Sequence, residues 1–203
     1  MALLTAILAC DLVGAEIEDR GQPLHISALE EAMVENAAPK RRREFALGRC
    51  CAHGALEKLG HGAAVIGRGE NGAPLWPDGV TGSITHTRDY AAAVVGEARH
   101  FSGIGVDAER IGDITQGLWR RLFDAAECDH LMGLDEAEQV RIATMIFSAK
   151  EACYKAWGGT GGLAFREISV TPGNGSFTAV RAGEILHGRY AADGDLMVTA
   201  AWF

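Results

Sequence analysis

Two stretches of this chain, 39–59 and about 136–157, repeat apolar residues at helical spacing, and strand-like runs follow each of them. That order constrains the fold more than any other feature. In the first stretch Phe45, Cys51, Ala52, Ala55, Leu56 and Leu59 share one face. Pro39 suits its opening turn and Gly60 its end. In the second, Ile142, Met145, Ala149, Cys153 and Trp157 fall on one arc, and "GGTGG" at 158–162 stops the helix. The apolar opening predicts a buried strand near 3–13, followed by a short helix near 27–36. After the Gly- and Pro-rich loop "GRGENGAPLWPDGVTG" come "GSITHT", "YAAAVVGE" and "GIGVDAER", all strand-like. A helical region is predicted over roughly 115–133. The tail "FREISVTP", "SFTAVRAG", "EILHGRYAAD" and "DLMVTAAWF" reads as meandering strands. Strand, helix, strands, then helix, strands predicts an α+β protein in two halves that meet near residue 105. No sequence repeat links the halves.

A chain of 203 residues has room for that plan. Its 48% hydrophobic and 23% charged content suits a soluble protein, and no apolar run approaches the ~20 residues of a membrane helix. The opening lacks a basic region before its apolar run, so it reads as a strand and not a leader. Five cysteines, an odd number without a C-x-x-C pair, argue for a reducing cytoplasm and against a zinc site or disulfide framework. The histidines contain no H-x-x-x-H pair. A formal charge of −8 argues against a general nucleic-acid binder. One local exception is "KRRR" at 40–43 with Arg49 close behind, which is either a solvated helix face or an anion site. Neither a dinucleotide-binding glycine pattern after a strand nor a P-loop is present.

Chemistry concentrates in three places. Along "GIGVDAER" a strand turns Ile104, Val106 and Ala108 one way and Asp107 and Glu109 the other. Two carboxylates on one strand face repel unless water or a cation separates them, and an oxygen-only donor set suits magnesium. The plain alternative is a wet acidic edge. In "FSAKEACYKAW" Glu151 and Lys155 stand one turn apart, away from the apolar arc. They form either a surface bridge of ~0.3–0.5 kcal/mol or a carboxylate and a cation aimed at a ligand. His86, in "GSITHT", falls at a strand end beside a small-residue apolar strand.

Four segments in order, "RRREFALGRCCAHGAL", "GAPLWPDGVTGSITHT", "GVDAER" and "FSAKEACYKAW", give the chain its resemblance to the two-subdomain 4'-phosphopantetheinyl transferases, of the enterobactin, surfactin and mycobacterial types. The resemblance covers roughly residues 40–157. It implies two similar α+β subdomains related by a pseudo-twofold axis. Residues 1–105 would form the coenzyme A 3'-phosphate and adenine side, and 106–203 the Mg²⁺ and catalytic side. Such an enzyme moves phosphopantetheine from coenzyme A to a serine of an acyl, peptidyl or aryl carrier protein and releases adenosine 3',5'-bisphosphate. The resemblance further implies Mg²⁺, with Mn²⁺ as a substitute, surrounded by Asp107, Glu109 and Glu151. Lys155 would sit on the phosphates, and Glu151 would double as the base for the serine. Arg49 and Arg41 would hold the 3'-phosphate, with His86 on the same phosphate and Thr85 beside it. A cytoplasmic monomer serving siderophore or polyketide synthesis, with no nucleic-acid or membrane partner, completes the expectation.

The chemistry agrees with these roles. A pyrophosphate under attack needs its oxygens neutralised, and a serine hydroxyl needs a nearby base. Two departures stand out. "ENGAP" lacks the basic residues that relatives often carry there, leaving Arg68 as the nearest replacement, and His53 stands where Arg is common. Two other readings use the same residues: a metal-dependent nucleotide phosphohydrolase, and a non-catalytic coenzyme A or nucleic-acid binding module.

Overall fold

Each half is built from a strand, a 21-residue helix and a closing hairpin. The computed structural model describes residues 3–62, 64–69, 72–159 and 165–203. In the first half β1 is Val13–Glu18, α1 Ala28–Ala32 and α2 Pro39–Leu59. Two short strands follow, β2 Gly67–Arg68 and β3 Pro74–Leu75, then the hairpin β4 Val80–His86 and β5 Tyr90–Glu97. The second half runs β6 Ile104–Arg110, α3 Gln116–Leu122, α4 Ala125–Met132, α5 Glu136–Ala156, β7 Ser169–Pro172, β8 Ser176–Arg181, β9 Glu184–Asp193 and β10 Leu196–Trp202. Strand orders are β1-β5-β4 and β6-β10-β9-β8-β7. In both halves the opening strand pairs antiparallel with the last strand, which pairs with the one before it. The second half adds β8 and β7 at its outer edge.

Three cores follow. In one, Leu47, Cys51, Ala52 and Leu56 of α2 meet Ala91, Ala93 and Val95 of β5. A second packs Met145, Ala149, Ala152 and Cys153 of α5 against the larger sheet. Between the halves, Tyr90, Ala92 and Val94 of β5 meet Ile104, Val106 and Ala108 of β6 and Val198 and Ala200 of β10. β5 is therefore buried on both faces. That is why "YAAAVVGE" is an unbroken apolar run instead of an alternating one.

α5 lies almost on the backbone of β6. A Cβ on Gly105 would come 1.7 Å from the Ala152 carbonyl oxygen, and one on Gly103 would come 2.1 Å from that of Ala156. Only glycine admits this approach. It brings Ser148, Glu151 and Lys155 over the Asp107 face of the strand.

The helix predicted at 39–59 and the strand at 90–97 stand where the periodicity put them, and Gly60 closes α2 with φ 90°. The strand expected near 3–13 does not form. Residues Leu4–Ile7 make a 3-10 turn, and β1 begins at Val13. Leu4 and Ile7, three apart, both enter the core between the halves, as one turn of helix allows. The helical region 115–133 splits at Asp124, which caps α4 in a reciprocal capping box with Glu127. Of the "GGTGG" stop, Gly158 and Gly159 take positive φ; the rest lies outside the described residues. Among the described residues no helix is long and apolar enough to cross a membrane.

Candidate active site

Asp107 is the centre of the seam between β4 and β6, and it is 4% exposed. Its Oδ1 accepts from Lys155 Nζ at 2.7 Å and from Thr85 Oγ1 at 3.2 Å, and its Oδ2 accepts from Ser148 Oγ at 2.9 Å. Lys155 Nζ also donates to the Val106 carbonyl at 3.0 Å and reaches Thr85 Oγ1 at 3.4 Å. Ser148 is shared with Thr199, the two hydroxyl oxygens 2.9 Å apart. Lys155 therefore pairs with a carboxylate on the facing strand, not with the Glu151 of its own helix.

Glu109 and Glu151 are half-buried beside this knot. Burial first, then the charges of Asp107 and Glu151, push the Glu109 carboxyl up to about 8. Burial, then Asp107, raises Glu151 as well. Three carboxylates thus share a neighbourhood in which Lys155 is the opposing charge. The all-oxygen donor set fits a hard divalent cation, which would relieve that repulsion. In this arrangement Asp107 accepts from Lys155, Thr85 and Ser148. Among the described residues no group of three His, Cys, Asp or Glu side chains stands at metal-holding spacing.

Two clefts flank the knot. One, of about 410 Å³, is lined by Trp76, Ser83, Ile104, Tyr154, Lys155 and Gly158. The other, of about 380 Å³, is lined by His86, Arg88, Glu109, Arg110, Asp113 and Asp195. β4 and β6 run from one cleft to the other, so Thr85 and Asp107 separate them. A two-ended ligand with a charged middle suits such a site. A larger cleft of about 940 Å³ lies behind β1, walled by Glu16, Glu18, Asp19 and Asp193, and holds none of the predicted site residues.

The predicted cations take three different positions. Arg41 Nη1 lies 3.0 Å from His86 Nε2, and Glu44 is 3.5 Å from the same Arg41 atom. Burial, then Arg41 and Lys155, hold the imidazole below its usual range against the opposite pull of Glu44. Because guanidinium only donates, Nε2 accepts, and the neutral ring carries its proton on Nδ1. Arg49 is 5% exposed and lines neither cleft. Its Nη2 donates to the Gly67 carbonyl at 3.0 Å, and its guanidinium lies 4.5 Å from the Phe45 ring centre. Arg68 is exposed on β2, near enough that its charge disfavours ionised Arg49, after burial. In "KRRR", Arg43 is committed to Asp19 and to the Gln22 carbonyl.

Sequence reasoning missed Ser148, Thr199, Glu30 and Lys150. Ser148 had a usable signal, since 148, 151 and 155 follow the i, i+3, i+7 spacing of one helix face. His53, noted as a departure, is tied to buried Glu30 at 2.9 Å.

Comparison with known proteins points one way. Residues 29–96 match the family described as 4'-phosphopantetheinyl transferase N-terminal domain, and 103–199 match the 4'-phosphopantetheinyl transferase superfamily. The 4'-phosphopantetheinyl transferase Npt of Nocardia iowensis is 36% identical over 186 residues, covering 86% of this chain and 83% of that protein. Svp of Streptomyces mobaraensis, another 4'-phosphopantetheinyl transferase, is 39% identical over 186 residues, covering 84% and 76%. A holo-(acyl-carrier-protein) synthase of Bacillus anthracis, solved with CoA (3',5'-ADP), is 25% identical at a TM-score of 0.45, covering 50% of this chain and 95% of that one. The chain belongs to the 4'-phosphopantetheinyl transferase family, whose members load 4'-phosphopantetheine onto carrier proteins.

Proposed function

We propose that this chain takes the phosphopantetheine arm from coenzyme A and places it on a serine of an apo carrier protein, using the Asp107–Lys155–Thr85 knot and its two carboxylate neighbours. The observation that carries the reading is that knot: a buried carboxylate and a half-buried lysine set between two clefts, with Glu109 and Glu151 both raised in proton affinity. Residues 1–105 supply the side that receives the 3'-phosphate and adenine, and 106–203 the catalytic side.

Lys155 releases Asp107 to meet the pyrophosphate, neutralising oxygen charge as it grows on the leaving group. Asp107, Glu109 and Glu151 are the residues that would hold Mg²⁺. Bound there, the ion would supply Lewis-acid stabilisation of the phosphate oxygens. Glu151 takes the proton from the serine hydroxyl, a role its raised proton affinity favours. The serine Oγ–P bond forms, the P–O bond of the pyrophosphate breaks, and adenosine 3',5'-bisphosphate departs. Neutral His86, which lines the smaller cleft with Arg41 3.0 Å from its Nε2, and Arg49 are the side chains that would receive the 3'-phosphate.

Mass spectrometry of an apo carrier incubated with the protein and coenzyme A tests this. One phosphopantetheine mass should appear on the serine, be lost with EDTA and return with Mg²⁺ or Mn²⁺. Hydrolysis of coenzyme A without carrier, and no carrier adduct, would favour the phosphohydrolase. Full activity in metal-free buffer would remove the metal role from the three carboxylates.

A further inference from the structure

Glu30 has no exposed surface, yet it holds together three separate parts of the first half. One carboxylate oxygen accepts from the Ser27 backbone N–H at 3.0 Å and from the Ser27 hydroxyl at 2.9 Å. The other accepts from the Ile66 N–H at 3.1 Å, and His53 Nε2 lies 2.9 and 3.0 Å from the two. Capping α1 requires only Ser27. The remaining contacts reach α2 through His53 and the chain leading into β2 through Ile66.

Arg49 is one turn before His53 on α2, and its Nε stands 3.9 Å from Glu30 Oε1. That is ion-pair range but too long for a hydrogen bond, and Nε is buried without a partner. The guanidinium is thus fixed on three sides, by the Phe45 ring, the Gly67 carbonyl and the Glu30 charge. Glu30 attracts it without taking up a donor. A second cation, Arg68, belongs to the same electrostatic neighbourhood and repels Arg49. Arg49 Nε is thus a buried donor held by the Glu30 charge and by no hydrogen bond.

We propose that Glu30 is a positioning residue that presets Arg49, together with the Gly67–Arg68 strand, for the 3'-phosphate of coenzyme A. The inference rests on the coenzyme A reading above. A carboxylate at this distance offsets the burial of the guanidinium and fixes its plane without accepting a hydrogen bond from it.

The test compares coenzyme A with 3'-dephospho-coenzyme A on wild type and Glu30→Gln, reading KM and kcat for each. Wild type should prefer coenzyme A. Glu30→Gln should reduce that preference by about tenfold, the worth of a charge-assisted hydrogen bond, with kcat at saturating coenzyme A retained. A packing role alone would weaken both substrates equally, and that result, or an unchanged preference, overturns the inference. A wild type that does not distinguish the two substrates removes the reading of Arg49 beneath it, and the inference with it. A second measurement needs no variant. In wild type the Arg49 Nε–H proton should exchange slowly before any ligand is added. It should then shift with adenosine 3',5'-bisphosphate and not with adenosine 5'-phosphate. Rapid exchange in the free protein would show that nothing presets the side chain.

Discussion

Replacing Lys150 by methionine should destabilise this protein more than any surface change near the site. Lys150 is wholly buried, and its Nζ donates to Glu127 Oε2 at 2.5 Å and to the carbonyls of Leu122 and Phe165 at 3.0 Å each. Glu127 also accepts from the Asp124 and Val170 N–H groups at 2.8 and 2.7 Å. The node joins α3, α4, α5 and the segment entering β7. Methionine keeps most of the stem but none of the donors, so a carboxylate and two carbonyls lose a buried partner. Breaking a buried pair from one side costs ~3–5 kcal/mol. At about 2–4 °C per kcal/mol for a chain of this size, Tm should fall by roughly 6–20 °C. Circular dichroism melts and urea titration would measure it, with the m-value unchanged. The loss should also depend on pH. Burial already raises Glu127 above its usual 4.5 against the pull of Lys150, and without Lys150 it rises further. A carboxyl with a raised folded pKa takes up its proton more readily when folded. The deficit therefore shrinks as pH falls through that folded value toward the unfolded one. A loss under ~1 kcal/mol, or a deficit flat with pH, would refute the reasoning, because the node would then be hydrated or dispensable.

Three further outcomes are expected. Gly105→Ala should fail to yield soluble enzyme, since its Cβ would lie 1.7 Å from the Ala152 carbonyl oxygen; a folded, active variant seen by circular dichroism and carrier loading would mean that α5 does not ride on β6 as described. Arg49→Ala should weaken coenzyme A far more than 3'-dephospho-coenzyme A by calorimetry, and equal weakening would place Arg49 in helix packing alone. Exposed Arg120 and Arg121 at the end of α3 form a local basic patch on an acidic protein that suits an acidic carrier; reversing both to glutamate should raise the KM for carrier while sparing coenzyme A affinity, and an unchanged carrier KM would show that the carrier docks elsewhere.

What could be read from the sequence, and what could not, divides by the range of the interaction. α2, α5, β5 and β6 announce themselves because periodicity and capping are local. The Asp107 and Glu109 face was correct for the same reason, since alternation on β6 puts Ile104, Val106 and Ala108 in the core between the halves. The partner of Lys155 was not available that way. Local spacing offers Glu151, whereas the glycine-permitted contact of α5 with β6 delivers Asp107. Within the region expected to be helical over 115–133, Leu131 is wholly buried while neighbouring Met132 is 61% exposed. Arg43, part of the basic run read as a solvated helix face or an anion site, is held by Asp19. Lys150 gave no signal, and Glu30 only the Ser27-x-x-Glu30 spacing of a capping box, because a charged residue at a buried position is indistinguishable in sequence from one at the surface until its partners are placed.

The double burial of β5 bears on how the enzyme meets its substrates. One strand serves as an inner wall of both neighbouring cores, so the halves have no separate surfaces on which to swing apart. Opening the seam as a hinge would hydrate Tyr90, Ala92 and Val94 along with Ile104, Val106 and Ala108. The frame is therefore a fixed gauge, and adjustment at the seam is left to side chains that can re-pair within it, such as Lys155, now on Asp107. Conformational adjustment on the larger scale is left to the long flexible arm being transferred and to the carrier that receives it.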